Sequence, residues 1–357
     1  MYKVITKDDK DSIALMSHFV RLHPRGHFLQ SPQWAGVKHS WDWRGVLVYD
    51  AGKSIAGAIS VLIRPLPLGM SLLYAPRGPV CNRNNKNIIT ELLTGVKAVA
   101  KACRAVLLYM DPDEPDTNQA FRAIMKEAGF TEKSSDGFDN IQPQHVFRLD
   151  MTGRTEEEIL AGFSGKTRYN IRLAVRRGVE IRQFIGGDTI PDEAFTAFSR
   201  LMETTGKRDH FIVRDKDYFK RIFSSLGHSA VLCLACLDGE PIAGAIGIYY
   251  GGKAWYLYGA SSNDHRGAMP NYLVQWELIR RALSLRCAVY DFRGVPGDVS
   301  ENHPLYGLYR FKKGFSGDYV KFTGLFTYTF KRLPAAVFLL LLKLRRSRRI
   351  RQKSFRV

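Results

Sequence analysis

Ile55-Ala-Gly-Ala-Ile59 recurs as Ile242-Ala-Gly-Ala-Ile246, and this repeat decides the fold. Each copy follows a short turn, Asp50-Ala-Gly-Lys53 in the first case and Asp238-Gly-Glu-Pro241 in the second. Each copy also leads into another apolar stretch, which is typical of a β-hairpin. Self-similarity at such a long period indicates that one supersecondary unit is present twice.

The match between the two halves continues beyond the hairpins. Helical patterns follow at about Asn87 to Lys101 and at about Asn271 to Leu285. Short apolar strands ending in aspartate come next, Val106 to Asp111 and Ala288 to Asp291. A hairpin, a helix and another strand, present twice, predict an α+β protein with two similar domains.

The repeat also predicts the domain boundaries. We expect a first domain at residues 1–148 and a second at 149–316, with residues 317–332 available to complete the first. A basic and apolar tail occupies residues 333–357. The junction of two such domains is where a ligand cleft is expected.

The composition is typical of a folded protein, and the net charge indicates an anionic partner. Hydrophobic residues make up 45% and charged residues 24%, which excludes a disordered chain and a polytopic membrane protein. The 53 Lys and Arg residues against 34 Asp and Glu give a formal net charge of +19. Such an excess indicates nucleic acid, a nucleotide or a membrane as the partner.

Cysteine usage and the N-terminus both favour a cytoplasmic location. The five cysteines are odd in number and lie in apolar runs, which is typical of thiols in a reducing compartment. Cys233 and Cys236 have the spacing of a metal or redox pair, but no second pair accompanies them, so we expect no metal site. The N-terminal stretch is polar and carries no secretory signal pattern.

The tail combines apolar and cationic residues. Leu333 to Leu342 is almost wholly apolar. This segment is too short to cross a membrane, which takes about 20 residues. Ten basic residues and no acidic one lie within residues 331–357. This pattern favours an interfacial helix on an anionic membrane; the alternative is a helix docked on the core with a disordered basic end.

A second basic segment lies in the helical pattern from Glu156 to Gly178. Arg168, Arg172 and Arg176 are spaced four apart, so they share one helical face. Arginine at this density favours a surface for phosphate or nucleic acid, although a solvated helix face has the same pattern.

Common motifs for nucleotides, zinc and serine nucleophiles do not occur in the chain. An ordered series of less generic motifs occurs instead. The series comprises Phe28-Leu-Gln-Ser-Pro-Gln-Trp34 through Lys38, Tyr74-Ala-Pro-Arg-Gly-Pro79, Met110-Asp-Pro112, Thr167-Arg-Tyr-Asn-Ile-Arg172, Arg208-Asp-His-Phe211, Trp255-Tyr-Leu-Tyr-Gly-Ala-Ser-Ser262, Pro270-Asn-Tyr272, Tyr290-Asp-Phe-Arg-Gly294 and Leu308-Tyr-Arg-Phe-Lys-Lys-Gly-Phe315. With this series the chain resembles the FemABX family of aminoacyltransferases that build peptidoglycan bridges.

The resemblance implies two tandem GNAT-like domains, in agreement with the repeat. It implies transfer of an amino acid from aminoacyl-tRNA to the stem-peptide amine of a peptidoglycan precursor, either lipid II or UDP-MurNAc-pentapeptide, with no CoA and no metal. The chain lacks the heptad insertion of a coiled-coil arm, so it resembles the branch of the family that adds the first bridge residue.

Aminolysis of an ester produces an oxyanion, which a fixed cation in a dry site can stabilise. The resemblance points to Lys312 for this task and to Phe311 for stacking on a base of the tRNA acceptor end. The alternative is a solvated lysine beside a core phenylalanine.

For the anionic precursor, the resemblance points to Lys38 and Arg208 as phosphate contacts, with Tyr256 and Tyr258 beside the sugar or peptide. The two tyrosines are two residues apart, which predicts one face of a strand and fits core packing equally well.

Asp111 and Asp291 end equivalent strands, where a carboxylate can orient the amine or accept its proton. Asp111 has the stronger resemblance, and a structural cap is the alternative for both. Two other functions stay open: a GNAT-fold acyltransferase that uses acyl-CoA or a protein N-terminus, and a non-catalytic protein that binds tRNA or membrane.

Overall fold

The computed structural model describes residues 1–134, 141–209, 211–297 and 299–341. The chain forms two compact units. The first contains Met1–Arg25, Lys38–Ser134 and the chain from Thr323; the second contains Gly26–Val37 and Ser135–Phe322.

The first unit is built on an eight-stranded sheet in the order β1-β2-β3-β4-β6-β15-β7, with β5 paired to β3. Strands β4 and β6 are parallel, and the other pairs are antiparallel. Its elements are β1 (Tyr2–Ile5), α1 (Lys10–Leu22), β2 (Asp42–Tyr49), β3 (Ile55–Pro65), β4 (Ser71–Arg77), β5 (Val80–Cys81), α3 (Lys86–Ala102), β6 (Ala105–Pro112), α4 (Gln119–Glu127), β7 (Thr131–Lys133) and β15 (Leu325–Thr329).

The second unit is built on a seven-stranded sheet in the order β14-β8-β13-β12-β11-β10-β9, in which β12 and β13 are parallel. Its elements are α2 (Trp34–Val37), β8 (His145–Asp150), α5 (Glu156–Gly162), α6 (Gly165–Arg176), β9 (Glu180–Ile185), α7 (Asp192–Asp209), α8 (Lys216–Leu226), β10 (Ala230–Leu237), β11 (Glu240–Tyr250), β12 (Lys253–Ser261), α9 (Pro270–Ser284), β13 (Val289–Gly294), α10 (Tyr306–Lys313) and β14 (Asp318–Lys321).

The sequence repeat corresponds to the same succession of elements in the two units. Strands β3, β4 and β6 with helix α3 have the same order and pairing as β11, β12 and β13 with helix α9. Local signals place both helices, because the Asn85 side chain caps α3 and Pro270 occupies the first turn of α9. In each unit the two strands joined by the helix are the parallel pair.

The division into units differs from the predicted boundaries because of strand pairing. Residues 145–148 belong to β8, which pairs with β13 and β14 of the second sheet. Within 317–332, β14 pairs in the second sheet, and only β15 joins the first. Residues 26–37 also belong to the second unit.

The predicted helical stretch from Glu156 to Gly178 is interrupted, and so is a second helical stretch, predicted at about Asp192 to Leu226. Phe163 and Ser164 separate α5 from α6, and the Ser164 hydroxyl caps α6 by accepting a hydrogen bond from Thr167 N. The second stretch divides into α7 and α8, with Asp215 capping α8. The longest of these four helices has 18 residues, so the described part of this segment contains no coiled-coil arm.

After β15, residues 332–341 form a C-terminal helix. Of the predicted tail, residues 342–357 lie outside the described part of the chain. None of the described helices combines the length and the apolar character that a membrane crossing requires.

Candidate functional site

Lys312 lies in the last turn of α10 and is only 4% exposed. Its Nζ donates a hydrogen bond to the Gly294 carbonyl at 2.7 Å, and it lies 5.6 Å from the centre of the Tyr256 ring. The end of α10 is held because Phe315 is buried and the Gly314 carbonyl accepts a hydrogen bond from Ser164 N. The alternative of a solvated lysine is therefore wrong.

Burial lowers the pKa of Lys312 to about 7 because the charged amine is removed from water. The carboxylate of Asp291 opposes this shift, and the nearby Arg293 adds to it. Asp291 is held in place by Arg148 Nε at 2.9 Å and by the backbone N–H of Arg293 at 2.7 Å. Near neutral pH the charged and neutral forms of Lys312 therefore coexist.

Tyr256 and Tyr258 lie on opposite faces of the second sheet, so the prediction that they share one face is wrong. A β-bulge at Leu257 pairs Tyr258 with Ile246 and Tyr256 with the next residue, Gly247. Consecutive residues of β11 point to opposite faces, and cross-strand partners share a face.

The contacts of the two tyrosines agree with this register. Tyr256 packs against the core cluster that includes α9, on the side where Lys312 lies. Tyr258 contacts α8 on the other side, with ring centres 5.4 Å from Phe219 and 6.3 Å from Tyr218. Only Tyr256 is brought together with Lys312.

Gly259 leaves the space that the Tyr256 ring occupies beside Lys312. A Cβ at position 259 would overlap the Tyr256 hydroxyl and the carbon that bears it. The sequence reasoning did not single out this glycine, although an isolated glycine in a strand is a known signal of a bulge or a close approach. The Gly294 carbonyl was likewise missed as a partner of Lys312.

Phe311 is half-buried and packs with aromatic rings on two sides. Its ring centre lies 5.0 Å from Tyr272 and 5.4 Å from Phe315, both in edge-to-face geometry. These contacts fix the direction of the ring next to Lys312.

Arg208 lies near the end of α7, where its guanidinium spans to the loop after β12. It donates to the Ser261 carbonyl at 3.3 Å and to Asn263 Oδ1 at 3.0 Å. Its Nε forms an ion pair with Asp209 at 3.1 Å. His210 of the same motif lies outside the described residues. Arg208 is therefore preorganised, but an anionic ligand has to compete with Asp209.

Asp111 and Lys38 belong to the first unit. Asp111 is buried, and its carboxylate accepts hydrogen bonds from the Tyr74 hydroxyl at 2.7 Å and from Arg77 N at 3.0 Å. These bonds tie β6 to the parallel strand β4. Lys38 is half-buried, and its carbonyl accepts a hydrogen bond from Trp41 N.

The three arginines of α6 are not equivalent. Arg172 and Arg176 are exposed. Arg168 is half-buried, and its Nη1 donates to the carbonyls of Ala161 and Phe163, at the end of α5. Arg168 therefore stabilises the junction of α5 and α6, whereas Arg172 and Arg176 present their charge to solvent.

A model of the FemAB family matches residues 14–241 and 238–343 of the chain. The chain is 29% identical, over 377 aligned residues, to a lipid II:glycine glycyltransferase of Staphylococcus epidermidis, covering 85% of the chain and 89% of that protein. It is 28% identical, over 372 aligned residues, to a lipid II:glycine glycyltransferase of Staphylococcus aureus, covering 83% and 86% respectively.

Among solved structures, the chain is similar to a crystal structure of FemX, with a TM-score of 0.83 and 26% identity over 94% of the chain and 99% of that structure. A tandem GNAT protein from the clavulanic acid biosynthesis pathway has a TM-score of 0.56 and 13% identity, covering 92% of the chain and 98% of its own. The predicted α+β fold of two tandem GNAT-like units is confirmed.

Proposed function

Because the chain belongs to the FemAB family, we propose that it transfers an aminoacyl group from tRNA to the stem-peptide amine of lipid II, in the formation of peptidoglycan bridges. The chain is an aminoacyltransferase, and the proposal concerns its donor and its acceptor. Both substrates are polyanions, which agrees with the net charge of +19. A lipid-linked acceptor places the reaction at the cytoplasmic face of a membrane.

The buried Lys312 carries the proposal, because the reaction needs a cation at the ester. The amine nitrogen forms a bond to the ester carbonyl carbon, and the carbonyl oxygen becomes an oxyanion. The bond from this carbon to the ribose oxygen then breaks, and the proton lost by the amine ends on that oxygen. Charged Lys312, positioned by Gly294 and Tyr256, stabilises the oxyanion in a site with little water.

We propose that the aminoacyl-tRNA donor is bound by Phe311, next to Lys312, and by the arginines of α6. Phe311 offers its ring for stacking on a base of the acceptor end. The exposed Arg172 and Arg176 suit contacts to tRNA phosphates, with Arg168 supporting the helix from below.

For the acceptor, we propose that Arg208 of the second unit contacts phosphate, and we propose the same role separately for Lys38 of the first unit. Tyr256 would contact the reacting peptide beside Lys312, whereas Tyr258, on the other face, would act through α8. We propose a positioning role for Asp111, because both of its oxygens already accept hydrogen bonds from β4.

The direct test is an incubation of the purified protein with a bacterial aminoacyl-tRNA mixture and, separately, lipid II or UDP-MurNAc-pentapeptide, read by mass spectrometry. We expect one aminoacyl mass increment on lipid II. An increment on the UDP-linked precursor alone would overturn the proposed acceptor. No increment on either, with intact aminoacyl-tRNA still present, would overturn the proposed reaction and favour an acyl-CoA enzyme or a non-catalytic protein.

The pH dependence of the reaction is expected to show whether the charged form of Lys312 is the active one. The value of kcat/KM reports groups of the free enzyme, and Lys312 loses its charge as pH rises through its pKa of about 7. We therefore compare the kcat/KM of the wild type with that of Lys312→Met as a ratio. This ratio should be constant at pH values below the pKa of Lys312 and should fall about tenfold per pH unit above that pKa. Taking the ratio cancels titration of the substrate amine. A ratio that stays level across the alkaline range would contradict the cationic role.

Arg208→Ala is expected to raise KM for the acceptor about 10- to 100-fold and to change kcat little, since a charge-assisted hydrogen bond contributes about 1.5–3 kcal/mol. Asp209→Asn should lower the same KM, because it removes the carboxylate that competes for Arg208. Arg200→Ala, on the exposed side of α7, is the matched control. The proposal for Arg208 fails if steady-state kinetics show equal KM values for Arg208→Ala and the wild type.

A further inference from the structure

The C-terminal helix has two apolar sides, and only one of them is covered. Ala335 and Phe338 pack against Leu72 and Val106 of the first unit. On the other side, Leu333 is 82% exposed and Val337 and Leu340 are each 58% exposed.

Leu341, 54% exposed, continues this exposed row of leucine and valine. The spacing of 333, 337, 340 and 341 places all four on one helical face. We call this row the C-terminal stripe.

A second exposed leucine belongs to the same surface. Leu68 is 83% exposed at the tip of the β3–β4 hairpin, in the short 3-10 helix Pro67–Gly69. The neighbouring Leu66 and Met70 pack on the cluster that holds Ala335 and Phe338. Leu68 has a φ of 61°, a left-handed conformation that is costly for leucine and persists where the surroundings require it.

Cationic side chains lie close to these leucines in the chain. Lys331 and Arg332 are exposed at the start of the C-terminal helix, and Arg64 is exposed in the hairpin. Arg104 is also exposed, and a Cβ at Gly69 would lie 3.4 Å from its guanidinium. Residues 61–72 and 331–341 contain no acidic residue. Both groups of exposed leucines therefore have cationic neighbours and no acidic residue within their own segments.

This combination selects the chemistry of the partner. Single exposed leucines are ordinary, but a contiguous apolar group with a charged border marks an interaction site. Leucines enter the acyl region at the surface of a bilayer, while the surrounding Lys and Arg contact anionic headgroups. A nucleic acid would satisfy the cations and leave the leucines in water. The described part of the C-terminal helix, residues 332–341, is shorter than a membrane span, which fits a helix that lies in the interface.

We propose that the C-terminal stripe and Leu68 form a peripheral docking site for an anionic lipid bilayer. The docking site goes beyond the proposed function, because it concerns where the enzyme is held and is independent of the transfer chemistry. Eight further basic residues follow in the sequence between Lys343 and Arg356 and increase the attraction to anionic lipid.

The test is sedimentation of the full chain with vesicles of phosphatidylcholine, with or without phosphatidylglycerol. We expect binding to the anionic vesicles, and weakening from about 0.1 M to about 1 M salt, where the Debye length falls from about 10 Å to about 3 Å. Leu333→Ser/Leu340→Ser and Leu68→Ser should each reduce the partition coefficient about tenfold. Leu22→Ser is the matched control, because Leu22 is 67% exposed in α1 of the same unit and lies outside this surface.

Three results would overturn the docking site: equal binding to both vesicle types, unchanged binding of the leucine variants, or an equal loss of tRNA binding in those variants. Turnover of a water-soluble precursor analogue, where the enzyme accepts one, should be the same for the leucine variants and the wild type. A loss of vesicle binding with that turnover retained supports the docking site and leaves the proposed function intact. If the wild-type protein binds vesicles but transfers no aminoacyl group to any precursor, the proposed function is wrong and the docking site stands.

Discussion

Replacing Lys312 by methionine is expected to lower kcat/KM by about 10²- to 10³-fold, the effect of removing one donor to an oxyanion. Methionine has a similar length and fills the buried space, so the loss reports the missing charge. Lys312→Arg is not expected to restore activity, because the larger guanidinium does not fit a site in which the side chain is only 4% exposed. Steady-state kinetics with the substrates of the mass-spectrometry assay measure both effects.

The neighbouring Lys313 provides the matched control. Lys313 is exposed, with its amine 5.5 Å from the Tyr309 ring, so Lys313→Met should keep nearly full activity. Equal losses in the two variants would indicate a general effect of charge on tRNA binding and would contradict the role of Lys312. Retained activity in Lys312→Met would contradict the role of Lys312 in stabilising the oxyanion.

The stability of Lys312→Met separates catalysis from folding. The pKa of Lys312 is about 7 in the folded chain against an ordinary value of 10.5, so between these values the unfolded wild type binds more protons. The free energy of unfolding of the wild type therefore rises with pH in this window, and the methionine variant lacks this rise. Thermal melts should show a Tm for Lys312→Met at neutral pH that is level with the wild type or above it, with the difference shrinking as pH rises.

Gly259→Ala is expected to lower kcat/KM by about 10²-fold, since a displacement of about 1 Å at a reacting group costs this much. The new Cβ overlaps the Tyr256 hydroxyl, so the stiff ring has to leave its position 5.6 Å from the Lys312 amine. Because the ring packs on the core cluster, we also expect a loss of about 1–3 kcal/mol in the free energy of unfolding. Kinetics and chemical denaturation measure the two effects.

A double-mutant cycle identifies the cause. With Tyr256→Ala as background, Gly259→Ala should cost little further activity, because the overlapping ring is gone. Gly307→Ala, in the helix that carries Lys312, is the control: its Cβ meets nothing, and alanine favours the helix. Additive losses in the cycle would show that Gly259 acts independently of Tyr256.

Several residues of the candidate site could be predicted from the sequence. The features that could not be predicted depend on local irregularities of a strand and a helix. Lys312 and Arg208 were predicted from motifs, and their hydrogen bonds to Gly294 and Asn263 were not. The bulge at Leu257 was not foreseen, because one inserted residue in a strand leaves the apolar pattern almost unchanged while it exchanges the faces of the residues beyond it. The support given by Arg168 to α5 depends on a helix break at Phe163, which a continuous helical pattern concealed.

The sequence by itself determined the two-fold repeat, the α+β class, the cationic character and the residue types of the site. Repeated spacing, hydrophobic period and charge are properties of the chain order, so they are readable before folding. Only the tertiary structure decided that Lys312 is buried, that Gly294 and Tyr256 are its partners, and which tyrosine shares its face. These depend on residues far apart in the chain meeting in three dimensions, and a pKa follows from the water and charge around a group once they have met.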